Sequence, residues 1–192
     1  MIKPLMLFDV PVKNASSLPP NQYQVIYADP PWQFNDKSMN RGGAERHYLT
    51  MTDDEILSLP VSQIACDNSL LFMWISWAKL PLAIAVIQAW GFEYKTCAFN
   101  WIKHHEKSGK EFMGMGHSTR ANSEVCLLAK RGKGLKRVDC GVRQIVNAPI
   151  GRHSAKPPEV RERIVQLVGD VSRIELFARD QVDGWDNWGN EI

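Results

Sequence analysis

The sequence predicts an α/β fold, a sheet whose strands are joined by helical crossovers. Three observations carry this expectation. Five apolar runs rich in β-branched and aromatic residues read as strands, and capped helical patterns lie between several of them. The first run ends in Asp29-Pro30-Pro31-Trp32, where two residues without a backbone N–H stop strand pairing just past a carboxylate. The carboxyl end of a strand is where open α/β sheets receive ligands.

The elements follow in order. Residues 24–28 form the first strand. Thr52-Asp53-Asp54-Glu55 has the spacing of a capping box, so a helix runs from Asp53 toward Leu59 and stops before Pro60, which makes its acidic pair structural. Residues 70–75 read as a strand. A helix over 79–90 ends at Gly91, strands follow at 96–102 and 124–129, and a helix over 158–168 has Pro158 near its first turn and Gly169 just past its end. The last strand spans 173–177. Segments 34–48 and 104–119 are long, glycine-containing loops, expected to be functional or partly disordered. Gly114-Met115-Gly116 does not follow a clear strand and is no dinucleotide fingerprint. The basic run 130–137 reads as a charged turn after a strand, with contact to phosphate as the alternative.

A length of 192 residues with 44% hydrophobic and 23% charged composition suits one domain over 1–192. No apolar run reaches membrane-spanning length and no secretory leader is evident, so the expected location is cytoplasmic. Cys66, Cys97, Cys126 and Cys140 are widely spaced and read as reduced thiols, with no metal site. The net charge of +2 hides an asymmetry: residues 95–163 carry 15 Lys and Arg against 6 Asp and Glu. Such a basic middle could follow a phosphate backbone; the alternative is that these side chains simply solvate loops and helix faces.

Chemically, the carbonyls of Pro30 and Pro31 are acceptors, and Trp32 offers a face on which a base could stack. Acceptors beside a stacking plate suit an exocyclic amino group. The competing reading is a strand, a Pro-Pro turn and a core tryptophan.

Asp-Pro-Pro-Trp resembles the catalytic signature of the MT-A70 family, the adenine N6-methyltransferases that include the mRNA adenosine methyltransferase catalytic subunit and short bacterial and phage relatives. The resemblance runs from about Gln22 to Glu191 and includes His153-Ser154-Ala155-Lys156-Pro157-Pro158, Ile174-Glu175-Leu176-Phe177-Ala178-Arg179 and the closing Gly184-Trp185-Asp186-Asn187-Trp188-Gly189-Asn190-Glu191. It implies a Rossmann-like S-adenosylmethionine-dependent methyltransferase fold: a mixed, mostly parallel sheet, helices on both faces, and permuted motif order with the catalytic tetrapeptide first. It implies catalytic roles for Asp29, Pro30, Pro31 and Trp32. It places Asp29, Ser154, Lys156, Phe177, Arg179, Asn190 and Glu191 at the cofactor, with adenine contacts from residues 9–15. Tyr48, Trp74, Arg120 and Glu124 fall to the substrate, although Trp74 inside an apolar strand reads equally as core. One departure is visible: Ala178 stands where the family commonly has glycine, which would alter how closely the backbone approaches the cofactor.

The implied activity is methyl transfer to adenine N6, in DNA by preference, with RNA as the alternative substrate. The implied partner is nucleic acid, and a homodimer is left open. A catalytically silent nucleic-acid-binding partner would lose Asp29 and Lys156, and both are present. A small-molecule methyltransferase would lack salt-sensitive DNA binding.

Overall fold

The computed structural model describes residues 17–33, 51–114, 118–151 and 155–189. Their elements are β1 (Tyr23–Ala28), α1 (Asp53–Ser58), β2 (Ala65–Ile75), α2 (Leu80–Ala89), β3 (Glu93–His104), β4 (Ser123–Arg131), β5 (Ile145–Pro149), α3 (Glu159–Val168), β6 (Arg173–Leu176) and β7 (Asp186–Trp188). The strands form one sheet in the order β5-β3-β4-β2-β1-β6-β7. β1 pairs in parallel with β2 and β6, β6 with β7, and β3 with β5, while β4 is antiparallel to both of its neighbours. The expected mixed, mostly parallel sheet is therefore present.

Side chains alternate across a strand, and here both faces are apolar. Ile26 and Ala28 of β1, Leu71 and Met73 of β2, and Val125 and Leu127 of β4 face Ile56 of α1 and Ala83, Val86 and Ile87 of α2. Val25, Tyr27, Phe72, Trp74 and Cys126 face the other way, against Val160, Ile164 and Val168 of α3. Helices thus cover both faces. The capping box forms as expected: the Glu55 N–H donates to Thr52 Oγ1 at 3.2 Å, and the Thr52 N–H donates to Glu55 Oε2 at 2.7 Å.

The sequence reading missed two strands, β5 and β7, both at sheet edges. β5 buries only Val146 fully, and β7 is three residues long, so neither has the apolar run that betrays an inner strand. β7 is fixed by tertiary contacts instead, including a 2.6 Å bond from Tyr23 Oη to Asp186 Oδ2. The second expected loop is also more regular than its composition suggests. The N–H of Phe112 donates to the Lys103 carbonyl and that of Gly114 to the Ala121 carbonyl, both at 2.9 Å, which extends the β3–β4 hairpin.

The direction of β4 decides what lies at each end of the sheet. Ile75, the last residue of β2, pairs with Val125 near the start of β4, whereas Ser69 pairs with Arg131 at its end. Glu124 therefore lies at the edge where β1, β2 and β6 end. The basic turn after Lys130 lies at the opposite edge.

Candidate active site

Ala28 pairs with Met73 on one side and Leu176 on the other, so the chain leaves β1 at Asp29 beside the levels of Trp74 and Phe177. Asp29 meets Lys156, which precedes α3: Nζ lies 2.6 Å from Asp29 Oδ2 and 3.3 Å from Glu124 Oε2, and the Lys156 side chain is only 9% exposed. Glu124 also bonds Lys103 near the end of β3. Two carboxylates and two ammonium groups alternate across three strands and the approach to a helix. Each charge is partly buried beside an opposite one, the condition under which ions withdrawn from water persist.

The environment acts on each group differently. Burial pushes the Asp29 carboxyl up, and nearby Lys156 opposes that shift without cancelling it. Burial alone would also push Glu124 up, but Lys156 and Lys103 together outweigh it and hold that carboxyl low. Burial works against the Lys156 ammonium, yet Asp29 and Glu124 raise its pKa above the ordinary lysine value. Arg179, beyond the end of β6, adds a further positive field at Asp29.

Of the two readings the sequence allowed for Trp32 and Trp74, the structure shows the core one. Trp32 is 5% exposed and sits in the core, its Nε1–H donating to the Trp74 carbonyl at 3.1 Å. It holds the end of β2 against the Pro-Pro turn and presents no open stacking face. Trp74 is fully buried: its Nε1–H donates to Tyr27 Oη at 2.6 Å, its ring meets Trp101 edge-on at 6.4 Å, and the Lys156 ammonium lies 5.7 Å from its ring centre. Trp74 thus forms the floor under the charged cluster and is not an exposed wall. The turn is similarly committed. The Pro30 carbonyl accepts the Trp32 N–H at 2.8 Å and the Pro31 carbonyl accepts the Met51 N–H at 3.1 Å, which among the described residues leaves each one further lone pair.

Phe177 has φ 62°, a conformation uncommon for any residue with a side chain, and its ring packs edge-on against Trp188 at 5.5 Å. The left-handed residue is thus Phe177 and not Ala178, so the missing glycine costs no backbone freedom. Close approach is instead supplied by Gly189, where a Cβ would lie 2.3 Å from the Ala178 carbonyl oxygen. Arg120 is exposed on the segment leading into β4, at the same edge as Glu124. Tyr48, Ser154, Asn190, Glu191 and residues 9–15 lie outside the described residues.

Sequence reasoning did not single out Lys103 or Tyr27. Lys103 had a visible signal, a cation two residues beyond Trp101 on the same strand face, with Nζ 4.8 Å from that ring centre. Tyr27 had none, because a tyrosine in an apolar strand looks like any core residue until its hydroxyl partner is known.

The chain matches the MT-A70 family over residues 23–191. This chain belongs to the MT-A70 family. It is 37% identical over 193 residues to a Type II methyltransferase, M.MunI of a Mycoplasma species, covering 91% of this chain and 80% of that protein. It is 29% identical to the human N(6)-adenosine-methyltransferase catalytic subunit METTL3, covering 89% of this chain and 28% of that protein. For the human N(6)-adenine-specific methyltransferase METTL4 the identity is 28%, covering 88% of this chain and 37% of that protein. The chain therefore spans most of the bacterial relative but well under half of the human ones.

Proposed function

We propose that this MT-A70 protein is an S-adenosylmethionine-dependent methyltransferase that modifies adenine N6 in DNA. The observation that carries the reading is the Asp29 carboxylate, held at the end of β1 between the Pro-Pro turn and Lys156.

The charged cluster suits the cofactor. Its methionyl end carries one carboxylate and two cationic centres, and an edge where Lys156 stands between Asp29 and Glu124 offers a counter-charge for each. Lys156, Phe177 and Arg179 would hold it, together with Ser154, Asn190 and Glu191. Bound there, it supplies an electrophilic methyl group. The adenine amino nitrogen is a poor nucleophile because its lone pair is delocalised into the ring. Asp29 and the remaining lone pair of the Pro30 carbonyl accept the two amino hydrogens, which localises the nitrogen lone pair toward the methyl carbon. Asp29 takes the proton once the nitrogen has become positive, a role helped by a carboxyl that burial has pushed up. A base in duplex DNA must be extruded to reach this edge.

DNA is favoured over RNA because the Type II label places the bacterial relative among DNA-modifying enzymes, and that relative aligns over 80% of its length at 37% identity. The test is transfer of labelled methyl from S-adenosylmethionine to unmethylated DNA and to RNA of matched sequence, followed by digestion to nucleosides. Label in N6-methyldeoxyadenosine is expected. Label confined to RNA would promote the second reading, and label in neither would sink both.

A further inference from the structure

Trp32 and Trp74, the two tryptophans of the catalytic edge, are both consumed by the core. A third is not. Trp77 follows β2 in a short 3₁₀ turn, Trp77–Lys79, and is 54% exposed, the most exposed aromatic side chain in the described core and surface. Its position is tied to the site by register. Asp29 leaves β1 beside the level of Trp74, and three residues of chain reach at most about 10 Å, so Trp77 lies at the same edge of the sheet as Asp29.

The turn is held in place from several directions. The Lys79 N–H donates to the Ser76 carbonyl at 2.9 Å, and Lys79 Nζ bonds Asp53 of α1 at 3.0 Å. Below it, the Trp74 carbonyl is fixed by Trp32. A large apolar ring is thus displayed on a fixed mount, costing exposed hydrophobic surface with no return within the described fold. A second observation lies at the same turn: the Ser76 hydroxyl oxygen is buried and has no hydrogen-bond partner among the described residues. Buried hydroxyls are ordinarily paired, so this one is unspent next to the exposed ring.

We propose that Trp77 is a substrate-positioning residue that stacks on a nucleobase next to the target adenine in the strand being methylated. This rests on the nucleic-acid reading above. Stacking on an indole tolerates any base, because every base has a π-face. Held at that edge, the ring keeps the neighbouring base ordered while the adenine leaves the stack toward Asp29.

The test compares Trp77→Ala, Trp77→Leu and Trp77→Phe with wild type in methyl transfer to unmethylated genomic DNA, with S-adenosylhomocysteine binding measured alongside. For Ala and Leu, KM for DNA is expected to rise about 5- to 100-fold, the span of one base–aromatic stack, with S-adenosylhomocysteine affinity within twofold of wild type. Phe, which keeps a π-face, restores most of the loss; Leu, which keeps only apolar bulk, does not. Transfer by wild type with unchanged KM in Trp77→Ala, or equal rescue by Leu and Phe, overturns the stacking role alone. No transfer by wild type to DNA or RNA removes the proposed function, and the stacking role with it.

Discussion

The two edges of the sheet carry similar side chains and put them to opposite uses. At the amino edge, the basic turn after β4 is exposed: the Lys133 N–H rests on Asn68 Oδ1 at 2.8 Å, and Arg131 donates to the Ser62 and Ala65 carbonyls at 2.6 and 3.3 Å. Its cations close off backbone or meet water. At the carboxyl edge, Lys103, Glu124, Lys156 and Asp29 are drawn inward and alternate in sign. Charge type alone therefore does not mark a site. A cation costs little in water, whereas one in the sheet's interior persists only beside a carboxylate, and such a pair perturbs both partners. The basic middle of the sequence is therefore two populations, and 130–137 belongs to the edge away from Asp29.

The largest effect is expected at Asp29. Asp29→Asn keeps the shape but loses the charge, and methyl transfer is expected to fall at least about a thousandfold, with S-adenosylhomocysteine binding largely retained in titration calorimetry. Near-normal turnover would overturn the mechanism. The next effect falls on the support beneath the edge. Arg161 of α3 holds Glu175 of β6 with two bonds of 2.6 and 2.8 Å, and their side chains are 15% and 10% exposed. Arg161→Ala leaves a buried carboxylate unpaired and should cost about 3 kcal/mol in denaturant unfolding. A loss below 1 kcal/mol would mean that water reaches Glu175.

The acid limb of stability tests the inward charges. Glu124 has a folded pKa below its unfolded value, so its contribution is fully present above the ordinary carboxylate range and is lost as pH falls through the folded value. Glu124→Gln should flatten the loss of stability below about pH 4.5 in melts at stepped pH, the ordinary carboxylate value. An unchanged slope would show that the carboxylate is not paired in solution.

Smaller still is the cap of α1, which follows the Met51 contact to the Pro31 carbonyl. Thr52→Ala should lower stability by about 1 kcal/mol, and a loss of activity larger than the loss of folded protein would tie the cap directly to the Pro-Pro turn. The smallest effect is expected at the amino edge. Replacing Lys133 and Lys136 by alanine should shift stability by less than about 0.5 kcal/mol and leave the transfer rate within twofold. A tenfold loss of transfer would mean that nucleic acid reaches both edges of the sheet.

The inner strands, the capping box at Thr52 and the carboxylate edge at Asp29 are legible in the sequence, because each is written in local pattern: β-branched runs, a Thr-to-Glu spacing, two prolines that end a ladder. Which tryptophans are core is settled by packing between distant segments. Trp32, Trp74 and Trp77 are equivalent as residues, yet a carbonyl partner, a tyrosine hydroxyl and open surface give them three different fates. Packing also decides that Lys103 and Lys156 turn inward while Lys133 and Lys136 do not. The physical reason is that burial and pairing depend on strand direction and register, and the antiparallel course of β4 brings Glu124 to the end of β1 while carrying the basic turn to the far edge.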